Sequence, residues 1–361
     1  MTKDSPAHRR PELSVVMPAF NSAPWLPSTF RALSDAVRRA DVTVEAIVVD
    51  DGSTDATATT VEAIRPSFPG RLSLLRQDNQ GRYRARLNGL TRADSETVLL
   101  LDSRVLIAPE ALAYVIGELR KSGAPRVWNA GIRTDPAAPL VGLFWDVPTY
   151  VFWGGYLRAP RPYDLDAENF DSAPKGTGVF LAPREMLLRA FEHARPVADS
   201  RLVSDDTKLL RWIAETEGIR VDPRFEATYR PRTSVKSFLG HAFARGTMFV
   251  DSYAGTGALR SAALIALAIA PALAVAALVW LFVVGWSATA LVLLLLLVVL
   301  AAAPILPAAI NRCPPRSIGA YLLYLPLFAG PFWAGLVRGI VVHRRAFGRG
   351  HSGSPAEGQR S

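Results

Sequence analysis

The first 130 residues alternate short apolar runs with polar segments. Leu13 to Met17 is an apolar run that stops at Pro18, and Val42 to Val49 is rich in β-branched residues. Shorter runs follow at Leu72 to Leu75 and at Val98 to Leu101. Apolar runs of this length, bounded by turn-forming residues, are typical of buried strands. The pattern therefore predicts four strands in the first hundred residues.

Apolar residues at helical spacing lie between these runs. The first series begins at Trp25 or Leu26 and continues through Phe30, Leu33 and Val37. Pro109 opens a second predicted helix, whose apolar side carries Leu112, Val115, Ile116 and Leu119. Strands and helices in alternation predict an α/β domain with a Rossmann-like, mostly parallel sheet and helices on both faces.

Three of the predicted strands end at polar residues. Ala19 to Asn21 follow the first strand, Asp50 and Asp51 follow the second, and Asp102 follows the fourth. In open α/β sheets, ligands bind at the carboxyl ends of the strands. We therefore expect these groups to meet at one edge of the sheet and to form a binding site there.

Residues 131 to 204 are less regular and rich in Pro, Gly and aromatic residues. Such a region suits a substrate cleft, and a loosely packed subdomain is the alternative. Within and after it, a strand is predicted at Gly178 to Leu181 and a helix at Pro183 to Phe191. A further helix is predicted over Asp206 to Glu217, ended by Gly218.

The C-terminal part has a different composition. No residue from Ser261 to Asn311 carries a charge, and this run is long enough for two membrane spans. A membrane domain is predicted over residues 258–342, with hydrophobic segments at 261–284, 287–310 and 318–342. The last segment is interpreted as a third span or as a re-entrant or interfacial segment, since it contains Pro326, Pro331 and Arg338. Hydropathy alone favours three spans, whereas the distribution of arginines favours an even number of crossings.

Charge and cysteine content narrow the class of protein. The formal net charge is +9, but the arginines are scattered and no nucleic-acid-binding motif occurs. Basic residues instead flank the apolar segments, which suits anionic lipid headgroups or nucleotide diphosphates. The single cysteine, Cys313, excludes an intrachain disulfide and fits a reducing compartment. The polar start, Met1 to Arg10, does not resemble a signal peptide, so we expect the domain before the spans to be cytoplasmic. Residues 1–11 and 348–361 are expected to be disordered.

Four motifs in order carry a resemblance to a known family. They are Ser14 to Asn21, Val49 to Asp55 (VDDGSTD), Leu100 to Arg104 (LLDSR) and Ser204 to Thr207 (SDDT). Shorter matches lie at Asn79 to Gly81 and at Ala85 and Arg86. Over roughly residues 12–250, the sequence resembles glycosyltransferase family 2, the inverting enzymes of GT-A fold, and in particular its membrane-anchored bacterial members.

This resemblance implies a nucleotide-sugar site. Asp50 and Asp51 would bind the base and ribose of the donor, and Ala19 and Asn21 would line the base pocket. Arg86 would lie on the same nucleotide-sugar surface.

The resemblance also implies the catalytic groups. Asp102 would help to hold Mg²⁺ or Mn²⁺ on the diphosphate, where a divalent ion neutralises the charge of the leaving group. Asp206, with Asp205 beside it, would act as the base near the acceptor hydroxyl.

The sequence departs from the family at Arg104, where the DxD motif usually ends in a second acid. Three interpretations follow. Asp102, the diphosphate and water hold the metal ion; Arg104 pairs directly with the diphosphate; or the enzyme is degenerate. The intact state of the other three motifs favours the first two together.

Function is predicted from these features taken together. A site anchored at a membrane suggests a membrane-bound acceptor, such as a polyprenyl phosphate, a glycolipid or a cell-surface glycan. The alternative is a non-catalytic membrane subunit that keeps a glycosyltransferase fold and helps to assemble or export a glycan. A nucleotide-binding transporter component should contain a Walker-type loop, and the sequence has none.

Overall fold

The computed structural model describes residues 10–121, 123, 126–196, 201, 207–254 and 257–347. The described residues fall into two compact units. The first comprises the described residues of 10–201 and 207–234 together with 304–321, and the second comprises the described residues of 235–303 together with 322–347. The predicted disordered segments 1–11 and 348–361 lie almost wholly outside the described residues.

The first unit is built on one sheet, in which the described residues contribute nine strands. Its order is β3-β2-β1-β4-β8-β6-β9-β5, and β7 pairs with β9 off this path. The strands are β1 (Leu13–Ala19), β2 (Val44–Asp51), β3 (Arg71–Gln77), β4 (Thr97–Leu101), β5 (Val105–Ile107), β6 (Trp128–Thr134), β7 (Tyr163–Leu165), β8 (Val179–Pro183) and β9 (Ile219–Tyr229).

Helices connect these strands. They are α1 (Leu26–Ala40), α2 (Thr57–Ile64), α3 (Arg82–Arg92), α4 (Ala111–Leu119), α5 (Leu140–Leu143), α6 (Asp146–Arg158), α7 (Arg184–His193) and α8 (Thr207–Thr216). The short helix α12 (Ile305–Ile310) and the first residues of α13 (Pro315–Val342) also belong to this unit.

The sheet has a parallel half and a mixed half. Strand β1 pairs in parallel with β2 and β4, and β2 pairs in parallel with β3. Beyond β4 the directions alternate: β8 is antiparallel to β4 and β6, whereas β9 is parallel to β6 and antiparallel to β5. The predicted α/β sheet is confirmed, and its parallel character belongs to the half that the first hundred residues form.

Side-chain alternation covers both faces of the parallel half. Leu13, Val15 and Met17 of β1 enter one apolar core with α1 and α4. Val16, on the same strand, enters the other core with residues of α3 and α7. Successive residues of a strand point to opposite faces, so a continuous apolar run places one core on each side of the sheet.

The differences from the predicted elements lie mainly after residue 104. The helix expected from Pro109 begins at Ala111, and the predicted strand at Gly178 to Leu181 runs over Val179–Pro183. Strands β5, β6, β7 and β9 were not predicted. Strand β9 carries a proline and several charges, and tertiary pairing rather than an apolar run places it in the sheet.

The second unit is helical. It contains α9 (Val235–Tyr253), α10 (Ala258–Val283), α11 (Ser287–Ala302), most of α13 and the short α14 (Arg344–Phe347). Thr247 Oγ1 of α9 donates to the carbonyl oxygen of Gly335 in α13 at 3.0 Å. Arg245 Nε donates to His241 Nε2 at 3.4 Å, as their spacing on one helical face allows.

Three segments are long and apolar enough to cross a membrane. They are Ala258–Val283, Ser287–Ile310, which joins α11 and α12, and Pro315–Val342. Their surfaces are largely exposed apolar side chains, as a lipid-facing helix requires. These segments match the three that hydropathy predicts, and the number that cross the bilayer stays a prediction.

Candidate active site

The loops that leave β1 and β2 are tied together by hydrogen bonds. The backbone N–H of Asn21 donates to Ser53 Oγ at 2.9 Å, and the N–H of Thr54 donates to Asn21 Oδ1 at 2.8 Å. The N–H of Ser22 donates to Thr57 Oγ1 at 2.8 Å. Asn21 has a φ of 48°, a left-handed conformation that asparagine tolerates better than most residues. The side chain of Asn21 therefore fixes the two loops to each other.

Asp50 lies at the end of β2, directly beside Ala19 in the β1–β2 register. Both side chains are buried, with 2% exposure each. One carboxylate oxygen of Asp50, Oδ1, accepts the N–H of Ser53 at 2.9 Å. The other, Oδ2, lies 3.8 Å from Arg76 Nε. Among the described residues, Oδ2 of Asp50 thus has only this long contact with Arg76.

The carboxylate of Asp51 accepts hydrogen bonds from the end of β3 and from the loop that follows it. Its Oδ1 accepts the side-chain amide of Gln77 at 2.7 Å and the N–H of Gln80 at 2.8 Å, and its Oδ2 accepts the N–H of Gly81 at 2.8 Å. Gly52 makes the approach of this loop possible. Its φ is +75°, and a Cβ there would lie 2.7 Å from the backbone nitrogen of Asn79. Asp51 therefore anchors residues 77–81 near the end of β2.

Asp102, at the end of β4, is held by a buried arginine. Arg86 of α3 has a side chain that is 1% exposed, and its Nη2 donates to Asp102 Oδ1 at 2.7 Å. The same Nη2 lies 3.5 Å from the carbonyl oxygen of Thr177. Asp102 Oδ2 accepts no hydrogen bond from the residues that the structure describes, and the Asp102 side chain is 27% exposed. Arg86 therefore orients Asp102 and leaves one of its oxygens open.

The guanidinium of Arg104 stacks on Trp25. Its guanidinium carbon lies 4.2 Å from the centre of the indole ring, and Nη2 donates to the carbonyl oxygen of Pro231 at 3.1 Å. Burial lowers the pKa of Arg104, and within the described part of the chain it has no carboxylate partner. Its Nε is buried without a hydrogen-bond partner.

A second arginine, Arg230, lies over the same indole at 5.2 Å. Its guanidinium donates to the hydroxyls of Ser28 and Thr29 and to the carbonyl oxygens of Trp25 and Ser103. Arg230 therefore holds the start of α1 against the segment after β4, whereas Arg104 keeps donors for another partner.

Across the ends of β1 and β4, Ser22 Oγ and Ser103 Oγ lie 2.9 Å apart. The exits of β2, β1 and β4, which are neighbours in the sheet, are thus joined by side-chain contacts. Between Ala19 and Asn21, Phe20 is 50% exposed at this edge. Phe20 belongs to the first motif, Ser14 to Asn21, and its side chain offers an additional planar apolar surface at this edge.

The described residues contain one acidic group suited to a metal ion at this edge. No cluster of three or more His, Cys, Asp or Glu side chains occurs among them. The open Oδ2 of Asp102 is a hard oxygen ligand of the kind that Mg²⁺ and Mn²⁺ prefer. The site fits a divalent ion that receives one protein ligand here and the rest from a diphosphate and water. Asp205 and Asp206 lie outside the described residues.

A lysine with a largely enclosed side chain, which was not predicted from the sequence, lies in the loop before β8. Lys175 Nζ lies 4.2 Å from the ring centre of Phe170 and 5.7 Å from that of Trp153. It is 3.7 Å from Asp171, and its side chain is 9% exposed. Burial lowers the pKa of Lys175 to about 8. No sequence pattern marked this residue, because Trp153 lies in α6, well before Phe170 and Asp171 in the chain.

The fold and the site define a class: an α/β domain of GT-A type with polar residues at the carboxyl ends of its parallel strands. Residues 14–133 match the model of glycosyl transferase family 2. This match covers about a third of the chain and indicates a glycosyltransferase family 2 domain over these residues. The resemblance seen in the motifs is thereby confirmed.

Two curated relatives illustrate the match. The succinoglycan biosynthesis protein ExoO of Rhizobium meliloti is 37% identical over 114 residues, which are 32% of this chain and 31% of that protein. An undecaprenyl-phosphate 4-deoxy-4-formamido-L-arabinose transferase of Pseudomonas fluorescens is 27% identical over 164 residues, which are 43% of this chain and 48% of that protein. The chain thus matches less than half the length of each.

Among solved structures, the mannosyltransferase PcManGT from Pyrobaculum calidifontis, in complex with GDP-Man and Mn²⁺, is similar over most of its length. The two chains share 18% identity with a TM-score of 0.58, over 92% of this chain and 88% of the other. At this identity the likeness establishes the fold.

Proposed function

We propose that this protein is an inverting glycosyltransferase that moves a sugar from a nucleotide-sugar donor to a membrane-bound acceptor. One observation carries the proposal: in a family 2 domain, Asp50, Asp102 and the loop of Asn21 meet at the carboxyl ends of adjacent strands. This is the edge at which open α/β sheets bind their ligands.

The donor would bind across the ends of β1 and β2. Asp50 offers the carboxylate oxygen for the base or ribose, and Ala19 supplies the floor beside it. Phe20 offers a planar apolar surface on which a base can stack. Asn21 and Asp51 take part mainly by fixing the loops that shape this pocket, since their side-chain oxygens already accept hydrogen bonds within the protein.

The diphosphate would lie toward the end of β4. Asp102 Oδ2 would contribute the protein ligand to Mg²⁺ or Mn²⁺, and the bound ion would offset the charge that develops on the departing diphosphate. Arg86 orients the carboxylate of Asp102 through its hydrogen bond at 2.7 Å. Arg104 would donate its remaining N–H groups to phosphate oxygens, because a guanidinium matches the geometry of a phosphate.

Asp206 would accept the proton of the acceptor hydroxyl as this hydroxyl attacks the anomeric carbon. The bond from that carbon to the diphosphate oxygen breaks on the opposite side, which inverts the configuration. Asp205 would stand beside the base. This assignment rests on the order of the family motifs, and proton transfer by such a base typically contributes about 10²–10⁴-fold to a rate.

The acceptor is proposed to be a polyprenyl phosphate, a glycolipid or a cell-surface glycan at the cytoplasmic face. Three apolar segments long enough to cross a membrane support a membrane-bound acceptor. The matched Pseudomonas fluorescens relative is named as an undecaprenyl-phosphate transferase, which agrees with an acceptor of this class.

A transfer assay tests the proposal. The purified full chain in lipid vesicles is given radiolabelled UDP- or GDP-sugars, a polyprenyl phosphate and Mn²⁺, and label in the organic extract is counted. We expect transfer by the wild type, loss of about 10²-fold or more in Asp206→Asn, and unchanged transfer in Asp35→Asn, whose carboxylate lies on the exposed side of α1. Equal transfer by Asp206→Asn and the wild type would contradict the assigned base.

A second function, that of a non-catalytic subunit for glycan assembly or export, is favoured by one feature. Arg104 replaces the second acid of the DxD motif. Under this alternative the wild type would bind a nucleotide diphosphate and transfer no sugar to any acceptor. Transfer by the wild type excludes it.

A further inference from the structure

Helices α6 and α12 of the first unit carry large apolar side chains that face solvent. Phe152 of α6 is 72% exposed, and Leu306 and Ile310 of α12 are 69% and 61% exposed. We call these three residues the apolar patch. Exposed apolar side chains concentrated on neighbouring helices commonly mark a surface that meets a partner or a lipid phase.

The two helices are fixed to each other. Asn311, directly after α12, donates its side-chain amide to the carbonyl oxygen of Tyr150 in α6 at 3.1 Å. Gly154 makes this contact possible, because a Cβ at that position would lie 2.0 Å from Asn311 Nδ2. The close approach leaves no room for a larger residue, so α6 and the segment after α12 move as one body.

Further contacts fix the same segment to the residues around α5. Ser317 Oγ donates to Asp146 Oδ2 at 2.6 Å, and the ring of Tyr321 stacks on Phe144 at 5.2 Å between centres. Arg316 Nη1 donates to the carbonyl oxygen of Pro136 at 2.8 Å. Residues 304–321 are therefore an integral part of the first unit.

The position of this segment in the chain indicates what the patch meets. Helix α12 ends the candidate span Ser287–Ile310, and the next candidate span begins at Pro315. A connection between two consecutive spans lies at a membrane surface. If the two candidate spans cross the bilayer, the membrane surface at their connection also lies against α6, which is held on this connection.

Charge agrees with this placement. Residues 136–162 contain a single acid, Asp146, whose oxygens accept hydrogen bonds from Ser317 and Thr134, and residues 304–321 contain none. Exposed arginines border the patch at Arg158, Arg161, Arg312 and Arg316. Arginines beside an apolar surface suit anionic lipid headgroups.

We propose that α6 and α12 form a membrane-contact face, and that its partner is a bilayer containing anionic lipid. Phe152, Leu306 and Ile310 enter the boundary between headgroups and acyl chains to a depth of about 5–10 Å. The bordering arginines lie at headgroup level. The first unit is thus bound to the membrane by its own surface as well as by its covalent link to the spans. The region predicted as a substrate cleft then opens beside the lipid, where a lipid-linked acceptor is found.

Depth-dependent quenching in vesicles tests the proposal. In a Cys313→Ala background, single cysteines are placed by Phe152→Cys on α6, Leu306→Cys on α12 and Glu62→Cys on α2. Each full-length variant is labelled with an environment-sensitive fluorophore and reconstituted into vesicles of neutral and anionic lipids brominated at defined acyl positions. Glu62 lies on an exposed polar position of another helix and is the matched control.

We expect the label at 152 to lose fluorescence to shallow bromines, as the label at 306 does, while the label at 62 keeps its intensity. A label at 152 that is quenched no more than the label at 62 would overturn the proposal. Replacing Arg158 and Arg161 by Gln should reduce quenching at 152 in anionic vesicles and leave it unchanged in neutral ones. The measurement uses no donor or acceptor sugar, so its outcome is independent of catalytic activity.

Discussion

The two halves of the sheet differ in how their side chains are used. In the parallel half, the exits of β1 and β2 are closed by hydrogen bonds between Asn21, Ser53 and Thr54, and Asp51 is saturated by three donors. In the mixed half, Lys175 is buried against aromatic rings and Phe152 is exposed. In the parallel half, side chains at the ends of the strands hold one another in place. In the mixed half, side chains pack on aromatic rings or face solvent.

The family model covers the parallel half. It spans residues 14–133, which include β1 to β5 and most of β6. The hydrogen bonds between Asp51 and residues 77–81 lie within this range, whereas Lys175 and Phe152 lie outside it.

The largest effect on stability is expected at the junction of the two halves. Asp102→Asn removes a carboxylate partner from the buried guanidinium of Arg86, and removing one member of a buried ion pair costs about 3–5 kcal/mol of unfolding free energy. The double variant Arg86→Met with Asp102→Asn should recover part of this loss. Thermal unfolding in detergent of both single variants and the double variant gives the coupling energy. Additive losses would mean that the two side chains do not interact.

The mixed half should show a pH dependence centred on Lys175. Burial lowers its pKa from 10.5 to about 8. The unfolded chain therefore binds a proton that the folded chain lacks between about pH 8 and pH 10.5, and stability rises with pH across this window. The substitution Lys175→Met removes this pH-dependent contribution to the free energy of unfolding. The stability of wild type relative to Lys175→Met should increase by about 3 kcal/mol from pH 8 to 10.5. A constant difference across this range would contradict the assignment.

In the parallel half, Asp51→Ala should lower the free energy of unfolding by about 2–3 kcal/mol, because three hydrogen-bond donors lose a charged acceptor. Nucleotide binding should fall as well, since residues 77–81 lose their anchor. Asp35→Ala, on the exposed side of α1, is the matched control and should change stability by less than about 0.5 kcal/mol. Equal melting temperatures for the two variants would show that Asp51 does not anchor the loop.

The smallest effect concerns the contact between α6 and α12. Gly154→Ala forces a Cβ against Asn311 and should cost about 1–3 kcal/mol through overpacking. Gly155→Ala adds a Cβ that meets no atom within 4 Å and should be neutral or slightly stabilising. Thermal unfolding of the two variants distinguishes a specific contact from a general effect of alanine. Similar melting temperatures would contradict close packing at Gly154.

The sequence allowed much of the parallel half to be predicted and little of the mixed half. Continuous apolar runs at β1, β2 and β4 are strong signals, and their polar exits pointed to one edge. Strand β9 gave no such signal, because its proline, arginines and acidic residues mask the alternation of buried positions. Helix α6 was also not predicted, because its aromatic residues do not lie on one face of the helix.

The sequence motifs selected residues that the structure brings to the ends of neighbouring strands, and the roles of these residues stay a prediction. Asn21 was expected to line the base pocket and Asp51 to bind the base and ribose, and their side-chain oxygens also accept hydrogen bonds from loop N–H groups. Motif position cannot distinguish a ligand-binding carboxylate from one that shapes the pocket. Arg104 was recognised as a departure, whereas its stacking on Trp25 depends on a contact between residues 79 positions apart.

The central claim is that the ends of the parallel strands bind a nucleotide diphosphate. Calorimetry with UDP and with GDP, each with and without Mn²⁺, tests it on the wild type, Asp50→Asn and Asp35→Asn. Asp50→Asn keeps the acceptor for the Ser53 N–H and removes only the charge, so the loop should remain intact. We predict that one nucleotide binds to the wild type and to Asp35→Asn and that binding is lost in Asp50→Asn. Equal binding by Asp50→Asn and the wild type, or no binding of either nucleotide to any variant, would contradict the account.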